Sequence, residues 1–96
     1  MSEAASPLRR EVTIINQRGL HARASAKLVG LVAELPATET VRVAKDGNEA
    51  AGGSILGLMM LGAAKGDTIE VIVEGDNAGA TLETVCALIE DGFGEE

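Results

Sequence analysis

EVTIINQRGLHARASAKL, residues 11–28, changes its hydrophobic period halfway along. Glu11 to Ile15 alternates and is rich in β-branched residues, which reads as a strand. From Ala22 to about Ala33 the spacing turns helical. Leu28, Val29 and Val32 share a face, while Ala22, Ala24, Ser25 and Ala26 are small enough for close approach to a sheet. Asn16 to Gly19 is the loop between them. This junction delivers His21, the only histidine, to the point where the helix begins. The first amides of a helix have no internal partners, and the helix dipole makes that end mildly positive. A phosphoryl group on the imidazole would sit over donors at Ala22, Ala24 and Ser25, with the Arg23 guanidinium close behind.

The rest of the chain supplies the elements around that junction. Residues 1–9 show no period and read as a mobile tail, leaving 10–96 as a single domain. Pro36 closes the first helical segment. Thr40 to Ala44 alternates again, and Asp46-Gly47 predicts a hairpin into a short polar edge strand, Asn48 to Ala51. Ser54 suits the N-cap of a short second helix, Ile55 to Leu61, which Gly57 weakens. After the turn at Lys65-Gly66-Asp67, Thr68 to Glu74 is the clearest strand and is expected to be central. Gly75-Asp76-Asn77 introduces a last helix over about Ala78 to Glu90, with Leu82, Val85 and Ile89 on one face. Gly92 closes it, and Phe93 is expected to fold back onto the core. The order β-α-β-β-α-β-α predicts an α+β fold: a four-stranded antiparallel sheet with three helices on one face. Arg42, Thr68 and Glu70 suit the wet outer face, whereas Ile72 on the same alternation does not.

With 96 residues there is room for one modest core, built from small aliphatic side chains with Phe93 as the only aromatic. One cysteine, Cys86, permits neither an internal disulfide nor a thiolate metal cage, and is expected to pack as a small hydrophobe. No signal-peptide pattern or long apolar span is present, so a cytoplasmic protein without membrane insertion is expected. A net charge of −7 and the lack of stacking rings argue against a nucleic-acid partner. The charge is unevenly spread. Five of eight basic residues (Arg9, Arg10, Arg18, Arg23, Lys27) fall in the first 27 positions, and Asp67 to Glu96 holds nine acidic residues and no basic one. A basic end around His21 would steer an acidic partner. The same asymmetry also serves plain solubility.

Phosphoryl transfer asks for a nucleophile, in-line access and charge neutralisation, and a neutral imidazole is both a competent nucleophile and a good leaving group. No second histidine or grouped carboxylate stands near His21 in sequence, so neither a metal site nor an acid–base pair is expected there. Arg23 reads as a bracket for phosphoryl oxygens or as a surface residue. A cation is unfavourable in a first turn, which favours an anionic ligand. Lys27 reads as a plain helix residue or as a contact for an acidic partner. Ile55, Leu56, Leu58, Met59, Met60 and Leu61 cannot all face one core. They predict an exposed docking patch, a more deeply buried helix or a homodimer contact. Ser54 is fully explained as a cap, yet a phosphate there would place charge beside the apolar patch and repel a partner, which makes it a regulatory candidate.

Gly19-Leu20-His21-Ala22-Arg23 resembles the active-site motif of the histidine-containing phosphocarrier (HPr) family of the bacterial phosphotransferase system. The likeness runs from about Arg10 to Glu96 and includes Ser54, the run Ile55 to Gly62, and Lys65-Gly66. Ile89-Glu90-Asp91-Gly92-Phe93 is similar to the nitrogen-related branch, NPr. The resemblance implies an open-faced β-sandwich and a cofactor-free, monomeric carrier that is not itself a turnover enzyme. By the same resemblance, His21 accepts a phosphoryl group at Nδ1 from enzyme I, itself charged from phosphoenolpyruvate, and donates it to a IIA protein. Arg23 is then an electrostatic aide, and Ile55, Leu56, Met59 and Met60 form the docking surface. Ser54 corresponds to the target of an HPr kinase, and a further regulatory protein is implied as a partner. One departure stands out: Ala24 replaces the usual proline, which gives up rigidity but restores an N–H. This variant resembles HPr-like proteins of alphaproteobacteria. Two competing readings exist. A ferredoxin-like regulatory module would bind a small molecule at a dimer interface and need no exposed histidine. An acyl-phosphate hydrolase would rest only on Arg18 and Asn16.

Overall fold

Asp46 and Gly47 both take positive φ, 52° and 86°, the backbone that a two-residue hairpin matched to strand twist requires. That turn joins β2 (Thr40–Lys45) to β3 (Asn48–Ala51) with Lys45 opposite Asn48. The structure, a computed structural model, describes residues 6–95. The other elements are β1 (Leu8–Thr13), α1 (Ala22–Ala33), α2 (Ile55–Met60), β4 (Thr68–Glu74) and α3 (Ala78–Glu90), followed by one short turn, Gly92–Gly94. The sheet runs β1-β4-β2-β3, and all three pairings are antiparallel. The three helices cover one face, giving the open-faced β-sandwich. β4 lies inside the sheet, as its apolar alternation predicts, and sends Ile69, Val71 and Val73 into the core. Leu28, Leu58, Val85, Cys86, Ile89 and Phe93 meet them from the helical side. Burial pushes the Cys86 thiol above its ordinary range, in keeping with a packing role.

The boundaries differ from expectation at β1. The strand begins at Leu8, inside the stretch read as a tail, because β4 is long enough to pair Leu8 with Val73 and Arg9 with Ile72. It ends at Thr13 because Ile14 bonds to a turn instead of a strand. Its N–H donates to the Asp67 carbonyl and its carbonyl accepts from Gly66. Residues 1–5 of that tail, and Glu96 at the other end of the domain, lie outside the described residues. α2 stops at Met60, one residue early. Gly57, read as a weakness in that helix, is a close-approach position. A Cβ there would sit 3.0 Å from Ser54 Oγ and 3.3 Å from the Ala50 methyl of β3.

Ile72 faces outward but is fully buried and stands apart from the core. The registers set Arg9 and Arg42 on either side of it. Their aliphatic stems shield it while their heads pair with Glu70 at 3.1 Å and with Glu49 and Glu74 at 2.9 and 3.6 Å.

Glu39, just before β2, is a buried carboxylate with a structural task. Its Oε2 accepts from the Asn77 N–H at 2.9 Å and the Thr38 hydroxyl at 3.0 Å, and its Oε1 accepts from the Thr81 hydroxyl at 2.9 Å. Asn77 makes no side-chain cap of its own, so Glu39 caps α3 from across the fold. The Asn77 N–H, with the two threonine hydroxyls, holds Glu39 below the ordinary carboxylate range against the opposing effect of burial. Such stabilisation is complete above the unfolded pKa of about 4.3 and is lost as pH falls through the lower folded value. Denaturant titrations of wild type and Glu39→Gln should therefore differ most at neutral pH and converge below about pH 4.

Candidate functional site

The loop from Asn16 to Leu20 is fastened before it reaches the helix. Gly19 has φ +61°, and a Cβ there would fall 2.3 Å from the Ala63 carbonyl oxygen and 2.9 Å from Ala64 Cα. That approach lets the Leu20 N–H donate to the Ala63 carbonyl at 3.0 Å while the Leu20 side chain enters the core. The buried Asn16 amide spans the loop, donating to the Gly19 carbonyl at 2.9 Å. His21 follows as the N-cap of α1, with extended backbone angles (φ −73°, ψ −179°).

The ring itself performs the capping. Nδ1 accepts the Arg23 N–H at 3.3 Å. Among the described residues no acceptor is paired with the N–H of Ala22 or Ala24, but only Ala22 is exposed; Ala24, expected as a second donor, is fully buried in the body of the domain and its amide is closed to a ligand. Ser25 is a correction. Its N–H is already spent on the His21 carbonyl at 2.9 Å, and its buried hydroxyl donates to the Leu20 carbonyl at 3.2 Å. It holds the helix start together, and the donor that joins Ala22 in the first turn is the Arg23 amide. The Arg23 side chain is exposed, and among the described residues no carboxylate pairs with its guanidinium.

The opposite edge of the ring is occupied, contrary to the expectation that no carboxylate would meet it. His21 Nε2 lies 2.6 Å from Glu95 Oε2, across 74 residues of chain. Asn16 Nδ2 donates to the other carboxylate oxygen at 3.1 Å. The hydrogen bond from His21, then that from Asn16 and the charge of Lys27, hold Glu95 below the ordinary carboxylate range, so it is ionised at neutral pH. The exposed Lys27 side chain also makes a contact the sequence does not suggest: its ammonium donates to the Phe93 carbonyl and ties the segment around Phe93 to α1. No spacing in the sequence marks Glu95. The one signal was Phe93, whose expected return to the core carries the following residues with it.

Packed against α1, α2 buries only Leu58 and leaves Ile55, Leu56, Met59 and Met60 outside, with Leu56 68% and Met60 76% exposed. That excludes the deeply buried helix. Ser54 Oγ accepts the Gly57 N–H at 2.9 Å, the cap read from the sequence. Among the described residues no group of three or more His, Cys, Asp or Glu could hold a metal ion, and no helix is long and apolar enough to cross a membrane.

An imidazole with one nitrogen over the amides of a helix start and the other against a carboxylate can take and release a tetrahedral anion. On an open-faced β-sandwich, these features define a phosphohistidine carrier. Residues 8–91 match the family described as the PTS HPr component phosphorylation site. The phosphocarrier protein NPr of Shewanella violacea is 42% identical over 88 residues, covering 92% of this chain and 94% of that one. The phosphocarrier protein HPr of Cupriavidus necator is 40% identical, with 92% and 97% covered. The crystal structure of HPr from Thermoanaerobacter tengcongensis superposes with a TM-score of 0.84 at 32% identity, covering 93% and 98%. That of Bacillus anthracis HPr gives 0.81 at 27% identity, covering 88% and 99%. The chain belongs to the HPr/NPr phosphocarrier family of the phosphotransferase system. It is therefore a phosphocarrier that shuttles a phosphoryl group on a histidine, an intermediate and not a turnover enzyme. This assignment supersedes the small-molecule-binding alternative.

The close approach at Gly19 yields a prediction. Gly19→Ala must place a left-handed alanine against backbone, and should lower unfolding stability by about 2 kcal/mol or more in denaturant titration.

Proposed function

We propose that His21 is the residue that carries the phosphoryl group, accepting it at Nδ1 from enzyme I charged by phosphoenolpyruvate and passing it to a IIA-type protein in the cytoplasm. One observation carries this reading: the Nδ1 lone pair points at the start of α1, where the Arg23 N–H already meets it and the exposed Ala22 amide is unpaired. In transfer the lone pair attacks phosphorus in line, the bond from phosphorus to the donor atom breaks, and that atom keeps the electron pair. The incoming oxygens replace Nδ1 as acceptors for the helix amides. Arg23 adds a positive charge that no carboxylate of the described residues neutralises.

The apolar face of α2 is the surface on which enzyme I and the IIA protein dock in turn, each covering Ile55, Leu56, Met59 and Met60 and meeting the nearby positive charge. Alternating use of one face fits a monomer. Ser54 is the regulatory position: a phosphate there would place two negative charges at the edge of that face and keep an acidic partner away. An HPr kinase and a further regulator are partners on this reading. Ala24 in place of proline supports placing the chain in an alphaproteobacterial-type variant of the family.

Labelling with enzyme I and radiolabelled phosphoenolpyruvate tests the carrier residue. The wild type and Ser54→Ala should take up acid-labile, alkali-stable label, and His21→Ala should take up none. Label persisting in the histidine variant would remove His21 from the relay. Docking is tested separately. Met59→Asp should slow transfer from enzyme I about tenfold with an unchanged unfolding midpoint, as expected for a contact residue at an interface. An unfolded Met59→Asp protein would instead make that side chain part of the core.

A further inference from the structure

The chain end reaches His21 by an unusual route. Gly92, Phe93 and Gly94 all have positive φ, at 66°, 59° and 72°. For the glycines this is cheap, but a bulky residue in the left-handed region is strained. The strain is offset by complete burial of the Phe93 ring. Lys27 holds the turn through the Phe93 carbonyl, and the Glu95 N–H closes it on the Gly92 carbonyl at 3.0 Å. The outcome of this construction is the Glu95 carboxylate at Nε2 of His21, with its second oxygen fixed by the buried Asn16 amide.

Each contact to the ring demands something of its protons. A backbone N–H at Nδ1 requires a lone pair there, and an ionised carboxylate at Nε2 requires a hydrogen there. Both select the same neutral tautomer, the one whose free lone pair is on the nitrogen over the helix amides. The groups facing the ring are Glu95 from the chain end, the uncharged Asn16 from the loop, and the first turn of α1. Arg23 in that turn is the nearest charge on the helix, and Lys27, one turn further along, acts through Glu95.

We propose that Glu95 is a positioning residue for phosphoryl transfer, holding the proton on Nε2 so that Nδ1 is the nucleophile when the group arrives and a neutral leaving group when it departs. This rests on His21 being the carrier. When Nδ1 bonds to phosphorus, the ring keeps its Nε2 hydrogen and becomes a phosphoimidazolium cation, which the adjacent carboxylate neutralises. When the acceptor attacks, the P–Nδ1 bond breaks, the electron pair returns to Nδ1, and the Nε2 hydrogen has never left. Without the carboxylate that hydrogen is lost at lower pH, and the group would have to leave from an imidazolate, a far poorer departure.

The test compares wild type, Glu95→Gln and Glu95→Ala. Each is labelled through enzyme I and phosphoenolpyruvate, and return of the phosphoryl group to unphosphorylated enzyme I is timed from pH 6 to 10. Ring ¹⁵N shifts report the tautomer of the unphosphorylated proteins. In Glu95→Gln the amide oxygen still accepts from Nε2–H, so the tautomer should be kept. The alkaline fall in rate should move down by about one pH unit, as expected for loss of one adjacent charge. Glu95→Ala should show the same pH shift and a mixed tautomer. Superimposable pH profiles in all three proteins would overturn the proposal. So would a uniform loss of rate or stability with the profile unmoved, which would make Glu95 a structural tie only. If the wild type itself is not labelled on His21, the carrier assignment fails instead, and the two failures are distinct.

Discussion

The hydrogen bond from the Arg23 N–H to Nδ1 of His21 makes the functional ring part of the architecture. A side-chain cap at a helix start is worth about 1 kcal/mol, so the nitrogen suited to carry a group also holds α1 in place. Loading it must break that bond. The cost is small because a tetrahedral anion at the same spot is a stronger acceptor for the same amides and is favoured by the helix dipole. Loaded and empty forms can therefore share one backbone, and the helix has no reason to fray in either.

Everything behind the ring serves to keep that geometry. Gly19 presses the loop onto the Ala63–Ala64 backbone, Leu20 anchors it in the core, and the Ser25 hydroxyl closes the first turn onto Leu20. Ala24 is fully buried, so α1 begins in tight contact with the body of the domain. Placement depends on backbone contacts and small residues, which have few conformations to lose. Only the outward parts, Arg23 and the α2 face, are long and adaptable, and these are the parts that would meet different partners.

Much of this is legible in the sequence. α1, β3, β4 and α3 lie where the change of period, the Asp46-Gly47 turn and the apolar alternation placed them, because each is decided by local chemistry over several consecutive residues. β1 was misplaced, since its start depends on how far β4 extends beside it, a pairing partner about sixty residues away. Ser25 was wrongly counted among the free donors because the fourth amide of a helix lies within reach of the cap carbonyl. The Lys27–Phe93 and His21–Glu95 contacts are invisible in the sequence for one common reason. Both are reached through a left-handed turn at a phenylalanine, a conformation that sequence preference argues against and only core packing can enforce.

The outer side of the sheet has a consequence of its own. A layer of strands normally hides its second face under more helices, which can double the length of a domain. Here two arginine stems over Ile72, locked down by glutamates, serve in place of that missing layer. The economy holds the fold to four strands and three helices. For a carrier that must travel between one collision and the next, a domain this spare adds little drag.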